Sequence, residues 1–194
     1  MARFTREELE TFYGAAVPDL LPGPGQELRL LFVGINPGLW TAATSTHFAH
    51  PVNRFYPALF QAGIIDRPIS PADGMTEADR EHLRERGIGI TNLVHRATAR
   101  ASELGAEELR EGSKALTDLV LRLRPRVVAM AGITAYRTAF GLPKATVGRQ
   151  PTMLGESELW VVPNPSGLNA HETVASLAAA YAEAARAAGV IGAR

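Results

Sequence analysis

Residues Leu30–Phe55 read LLFVGINPGLWTAATSTHFAHPVNRF, and the reading of this stretch decides the fold. The opening run Leu30-Leu31-Phe32-Val33 is apolar without alternation, the pattern of a strand buried on both faces of a sheet. Gly34-Ile35-Asn36-Pro37-Gly38 follows. Glycine lets the backbone approach another group closely, and Pro37 biases Asn36 toward an extended conformation and ends the ladder. A polar amide is thereby presented at the carboxyl end of a buried strand, where open α/β sheets bind ligands. Further along, Phe48, His50, Asn53, Arg54 and Phe55 mix aromatic rings with polar hydrogen-bonding groups.

Outward from this stretch, helical and strand patterns alternate. Thr5-Arg6-Glu7-Glu8 has the spacing of a capping box and predicts a short helix to about Ala16, ended by Pro18. Pro22-Gly23-Pro24-Gly25 is a turn-rich connector, so residues 1–25 read as a helix and linker appended to the core. The first strand falls near Arg29–Ile35, and a helix near Pro51–Ala62 carries Phe55, Leu59 and Phe60, with Gly63 suited to its end. Thr76 and Asp79 predict a capped helix to Arg86, and Gly87–Val94 a glycine-interrupted strand ending in His95-Arg96. Ala106–Leu123 is the longest amphipathic pattern, closed by Pro125. Arg126–Ala131 is a third buried strand, Gly132 opens a helix through Phe140, and Leu159–Val162 is a fourth strand. Asn169, with Glu172 three residues on, is the expected cap of a last helix running to about Ala188.

This alternation predicts an α/β fold: three layers, α/β/α, around a short, mostly parallel central sheet. Right-handed crossovers place every strand's carboxyl end on one edge. Asn36-Pro37-Gly38, Asn92–Arg96 and Asn164-Pro165-Ser166-Gly167 are therefore expected to converge there.

A chain of 194 residues fits a single domain with a sizeable core. With 46% hydrophobic and 21% charged residues it reads as globular, and a formal net charge of zero announces no global field for nucleic acid. A local patch of arginines would suffice for such a partner. The absence of cysteine excludes disulfides, thiolate nucleophiles and cysteine-ligated metals. Neither an apolar leader nor a run of about 18 apolar residues occurs, so a cytoplasmic protein without membrane contact is expected.

Two strands ending in Asn-Pro, each followed by glycine within three residues, carry the most chemical information. Asn-Pro alone is good turn chemistry. Two such ends on one edge suggest a shared pocket. Nucleophile-elbow, zinc-binding, phosphate-loop and dinucleotide motifs are all missing. Asparagine does not titrate, so Asn36 suits a reaction helped by orienting a water and stabilising charge, with bond breaking leading.

Taken together, Gly34–Leu39, Phe48-Ala49-His50-Pro51 with Asn53-Arg54-Phe55, Gly89–Val94 and Asn164-Pro165-Ser166-Gly167-Leu168 resemble the mismatch-specific uracil/thymine DNA glycosylases, over about residues 28 to 185. The resemblance implies a uracil-DNA-glycosylase-like fold and a monofunctional enzyme. It would flip uracil, preferably mispaired with guanine, out of duplex DNA and hydrolyse its N-glycosidic bond. By that resemblance Asn36 positions the attacking water, while the Ile35 backbone and Asn164 stabilise charge on uracil O2. Phe48 stacks on the base, and Thr41 meets the pyrimidine 5-position, where its branch would crowd a thymine methyl. Ser166, Gly167 and Leu168 form the segment that enters the helix, with Leu168 as the wedge. No cofactor or metal is implied, and a monomer suffices.

The chain departs from the family pattern in two places. Ala170 and His171 stand where an arginine contacts the orphaned guanine, which implies weaker reading of the opposite base. His95 stands where an acidic residue is usual, and contact with a phosphate or with the water is its expected role. Arg54, Arg96 and Arg100 are the candidates for phosphate contacts. A catalytically silent nucleic-acid-binding domain on the same scaffold and a flavodoxin-like nucleotide binder are the competing readings. Asn36 argues against the first and Leu168 against the second.

Overall fold

The computed structural model describes residues 4–192. Five strands form one sheet: β1 (Leu30–Gly34), β2 (Ile88–Asn92), β3 (Val127–Ala131), β4 (Gly148–Leu154) and β5 (Ser157–Val162), in the order β2-β1-β3-β5-β4. Helices α1 (Arg6–Glu10), α2 (Leu39–Thr44), α3 (Phe55–Gln61), α4 (Glu77–Glu85), α5 (Ala106–Leu123), α6 (Ile133–Phe140) and α7 (Val174–Ala187) surround it. Strands β2, β1, β3 and β5 run parallel, and β4 pairs antiparallel with β5. The expected three-layer, mostly parallel architecture is the observed one.

Every residue of β1, β2 and β3 is buried: β1 and β3 as their unbroken apolar runs require, β2 with Thr91 and Asn92 buried at its carboxyl end. Strand alternation then divides β1 between two cores. Leu30 and Phe32 join Phe55, Tyr56 and Leu59 of α3 and Tyr181 of α7 on one face. Leu31 and Val33 join Leu109, Leu116 and Val120 of α5 and Tyr136 of α6 on the other. Parallel register aligns Gly34 with Asn92 and Ala131 with Val162, so the loops after β1, β2, β3 and β5 open on one edge.

Six points differ from the sequence expectations. α1 ends at Glu10, short of Ala16, because the chain turns at Gly14 (φ 77°) and then pairs first with Arg96 and Ala97 and, at Leu20, with β2. Leu20 and Ile90 exchange both backbone hydrogen bonds, so residues 15–20 are knitted to the sheet where a linker was expected. α2 was not expected, and α3 begins at Phe55, not near Pro51. β4 was also missed: it is an exposed polar edge with Pro151 at its irregular register, a place where proline is tolerated. The last helix is capped by Thr173 with Ser176, not by Asn169 with Glu172, since both of those residues are held in the preceding loop. By contrast, the Thr76–Asp79 capping box and the bounds of α5 are as predicted. No described helix is long and apolar enough to cross a membrane.

Candidate active site

Asn36 leaves β1 at the open edge, half-buried. Its Nδ2 donates to the carbonyls of Pro37 (3.2 Å) and Arg96 (3.1 Å) and to Thr98 Oγ1 (2.7 Å). Carbonyl oxygens only accept, so the amide cannot be reversed. Thr98 Oγ1 passes its own hydrogen to the Arg100 carbonyl at 2.9 Å. The other end of the amide, Asn36 Oδ1, has no hydrogen-bond partner among the described residues and is free to accept from a water.

Phe48 sits beside this edge on the loop after α2. Its backbone is left-handed (φ 56°), a conformation that costs a bulky residue about 1–3 kcal/mol and persists only where neighbours enforce it. Phe55 stacks on its ring at 4.1 Å between centroids. Tyr56 donates to the His47 carbonyl at 3.0 Å, fixing the residue before it. Gly34 is the floor beneath: a Cβ there would lie 2.5 Å from Asn92 Oδ1 and 3.3 Å from the Phe48 ring. Glycine is required at that point so that Asn92 and Phe48 can flank one space. Asn92, the last residue of β2, is buried and donates from Nδ2 to His47 Nδ1 at 3.1 Å. His47 Nε2 lies 2.9 Å from the Pro18 carbonyl. Burial pushes the His47 imidazole below its ordinary pKa, so it is neutral.

Beyond β3, Gly132 (φ 114°) is crowded by Ile35, with Cδ1 3.2 Å from where its Cβ would be, and Asn164 Nδ2 lies 3.7 Å from that point. Ile35, Gly132 and Asn164 are thus neighbours across three strand ends. Asn164 Oδ1 accepts from Ser166 N (3.0 Å), which leaves its Nδ2 with no partner among the described residues.

The segment 164–172 is a tightly tied loop. Asn169 Nδ2 donates to the Asn164 carbonyl (3.1 Å), and Leu168 N donates to Ser166 Oγ (3.3 Å). Gly167 lies against Val52, where a side chain would clash with Val52 Cγ2 at 2.4 Å. Leu168, at its tip, is 84% exposed. Ala170 and His171 follow, both exposed.

The arginines divide. Arg54 was expected at a phosphate, but its guanidinium points inward and donates to the carbonyls of Ser166 (2.6 Å), Asn169 (2.7 Å) and Glu172. That expectation is corrected: Arg54 is spent on shaping the loop. Arg96 is held by Glu108 at 2.5 and 3.0 Å, also away from a phosphate role. Arg100 is exposed. His95 is exposed with Nδ1 3.8 Å from Asp19 and makes no hydrogen bond to Asn36. Thr41 is buried on α2. Among the described residues no group of three or more His, Asp or Glu could hold a metal ion.

Sequence reasoning missed Asn92, His47 and Thr98, although Asn92 fell within a segment expected at this edge. Their partners lie 45 and 62 positions away, outside any local pattern. The arrangement offers a fixed acceptor for a water, a free amide donor, an aromatic face and a buried polar edge around one opening. Such a set can accommodate a flat heterocycle and orient a water beside it. Residues 22–186 match the uracil DNA glycosylase superfamily, and by that match the chain belongs to this superfamily of DNA-repair glycosylases.

Proposed function

We propose that this enzyme removes uracil from duplex DNA, preferentially opposite guanine, by monofunctional hydrolysis. The single observation that carries the reading is the Asn36 amide, held through Nδ2 by three acceptors so that Oδ1 stays available to a water. Asn36 orients that water toward C1′ while the sugar becomes oxocarbenium-like. The Ile35 backbone amide and the free Nδ2 of Asn164 stabilise negative charge on uracil O2, an electrostatic contribution that needs no titrating base.

Phe48, backed by Phe55, stacks on the flipped uracil, a contact worth about 1–3 kcal/mol. Asn92 reads the polar edge of the base from β2. Thr41 crowds a 5-methyl group and so favours uracil over thymine. Leu168 enters the stack in place of the extruded base, offsetting part of the lost stacking. Its 84% exposure on a tied loop is hard to explain by packing. Mispaired uracil costs less to extrude, and that cost, more than contacts from Ala170 or His171, sets the mismatch preference.

Monofunctional chemistry fits the placement of the lysines: Lys114 lies on α5 paired with Glu111, and Lys144 lies between α6 and β4. Neither is on a strand-end loop after β1, β2 or β5. A monomer acting as one catalytic unit fits this mode of binding.

The test is cleavage of duplexes carrying G·U, A·U, G·T or unpaired uracil, with alkali to cut abasic sites and Asn36→Ala beside the wild type. Uracil release fastest from G·U, slow thymine release, and loss of release in the variant are expected. Equal rates on G·U and G·T would remove the steric argument from Thr41.

A further inference from the structure

Pro18, His47 and Asn92 form a line of three groups from a backbone carbonyl to the base pocket. We propose that His47 is a positioning residue that fixes which end of the Asn92 amide faces the pocket, and thereby sets the preference for uracil over cytosine. This rests on the reading of Asn92 as the contact to the base edge.

The Pro18 carbonyl only accepts, so His47 Nε2, 2.9 Å away, carries the imidazole hydrogen. Nδ1 of a neutral imidazole is then a lone pair. Asn92 lies 3.1 Å from it and can face it only with Nδ2. Asn92 Oδ1 is therefore turned toward Gly34 and Phe48, where the missing Cβ of Gly34 gives it room. This orientation follows from hydrogen-bonding capacity at each step and not from which amide atom is labelled nitrogen.

An acceptor at Oδ1 with the second Nδ2 hydrogen beside it matches N3–H and O4 of uracil. Cytosine presents a lone pair at N3 and an amino group at C4, so acceptor meets donor nowhere along that edge. Reversing the Asn92 amide to suit cytosine would set Oδ1 against the His47 Nδ1 lone pair. Moving the imidazole hydrogen to Nδ1 would instead set Nε2 against the Pro18 carbonyl. Each alternative leaves two acceptors facing each other in a buried site: His47 is 5% and Asn92 5% exposed. Protonation of His47 is the one event that would permit the reversed amide. Burial opposes it most strongly, and His95 and Arg80 oppose it too, while Asp19 and the Pro18 hydrogen bond favour it. Tyr56 donates to the His47 carbonyl and not to the ring, and the neighbouring Thr46 hydroxyl is occupied by Met75 N and the Thr44 carbonyl.

The experiment uses the full chain on duplexes carrying uracil or cytosine opposite the same abasic spacer, under single-turnover conditions. His47→Leu frees the amide to rotate. Two equally populated orientations lower uracil release by about twofold. The uracil-to-cytosine rate ratio is expected to fall by about tenfold or more, equivalent to about 1.4 kcal/mol. His47→Gln supplies an NH₂ for the Pro18 carbonyl and an oxygen for Asn92, the same donor and acceptor order, and is expected to keep the wild-type ratio. Because both rates are measured on one protein preparation, a smaller folded fraction cancels from the ratio. A ratio in His47→Leu within threefold of wild type overturns the inference, and so does an equal fall in His47→Leu and His47→Gln, which would make the effect one of packing. Asn92→Ala separates the underlying reading: wild-type uracil release in that variant would remove Asn92 from the base edge, whatever the His47 variants do.

Discussion

Replacing Thr98 with valine removes one oxygen from the site, and with it the contact to Asn36 and the hydrogen bond to the Arg100 carbonyl. Thr98 is buried, and its Oγ1 is the shortest of the three contacts to Asn36 Nδ2, at 2.7 Å. Valine keeps the branched shape. The carbonyls of Pro37 and Arg96 remain to hold the amide at 3.2 and 3.1 Å, so Asn36 stays correctly turned but is held less firmly. One net hydrogen bond contributes about 0.5–1.5 kcal/mol. Felt entirely in the transition state, that is a rate loss of about two- to tenfold. Asn36→Ala removes the water-directing oxygen altogether, and a loss of about a hundredfold or more is expected for a displaced reacting water. The assay is single-turnover uracil release from a G·U duplex with enzyme in excess, run for both variants beside a urea unfolding curve. Thr98→Val is expected to lower the rate within the stated range and, because the hydrogen bond from Oγ1 to the Arg100 carbonyl is lost as well, to lower unfolding free energy by about 1–3 kcal/mol. A wild-type rate in a destabilised variant would refute the reasoning, because the contact would then serve the fold and not the amide. A loss as large as that of Asn36→Ala would refute it from the other side.

Three further outcomes follow from the same geometry. Leu168→Ala should slow release from A·U duplexes by about tenfold, as expected for an apolar wedge offsetting unstacking, and leave release from single-stranded uracil unchanged; parallel losses on both substrates would argue against insertion. Gly34→Ala places a methyl 2.5 Å from Asn92 Oδ1 and should cut uracil release by about tenfold or more while the sheet persists, with far-UV circular dichroism as the control. Stability should also fall in mild acid. Burial lowers the His47 pKa in the folded state, so below about 6.5 the unfolded chain binds a proton that the folded chain refuses, and unfolding free energy decreases as pH falls. His47→Gln should flatten that slope in urea titrations between pH 7 and 5, and an unchanged slope would assign the acid sensitivity elsewhere.

What the sequence disclosed depended on how local each signal was. β1 and β3 were legible because five successive buried positions leave an unbroken apolar run. α5 was legible from its apolar stripe and closing proline, and α4 from a capping box whose partners lie three positions apart. The convergence of the Asn-Pro ends followed from parallel topology alone. β4 escaped because only Gln150 along it is buried, so no alternating pattern survives. Arg54 was misjudged because a guanidinium on a loop reads as solvated until its three carbonyl partners, more than 110 positions away, are in view. Asn92 and His47 were passed over for the same reason: each is ordinary in its own segment and meaningful only against the other.

The bonds of Arg54 have a mechanical consequence. Its backbone N–H takes the Pro165 carbonyl at 3.0 Å, its guanidinium grips three more carbonyls of the Leu168 loop, and its neighbour Phe55 carries the stacked ring of Phe48. The leucine tip and the aromatic seat are therefore riveted to the start of one helix and cannot spread or close independently. If Leu168 enters DNA as proposed, the two act as the jaws of a caliper set to a single span. The give needed to bring a base from one jaw to the other must then come from the double helix, so the tool gauges how pliant a base pair is before it meets the chemistry of the base itself.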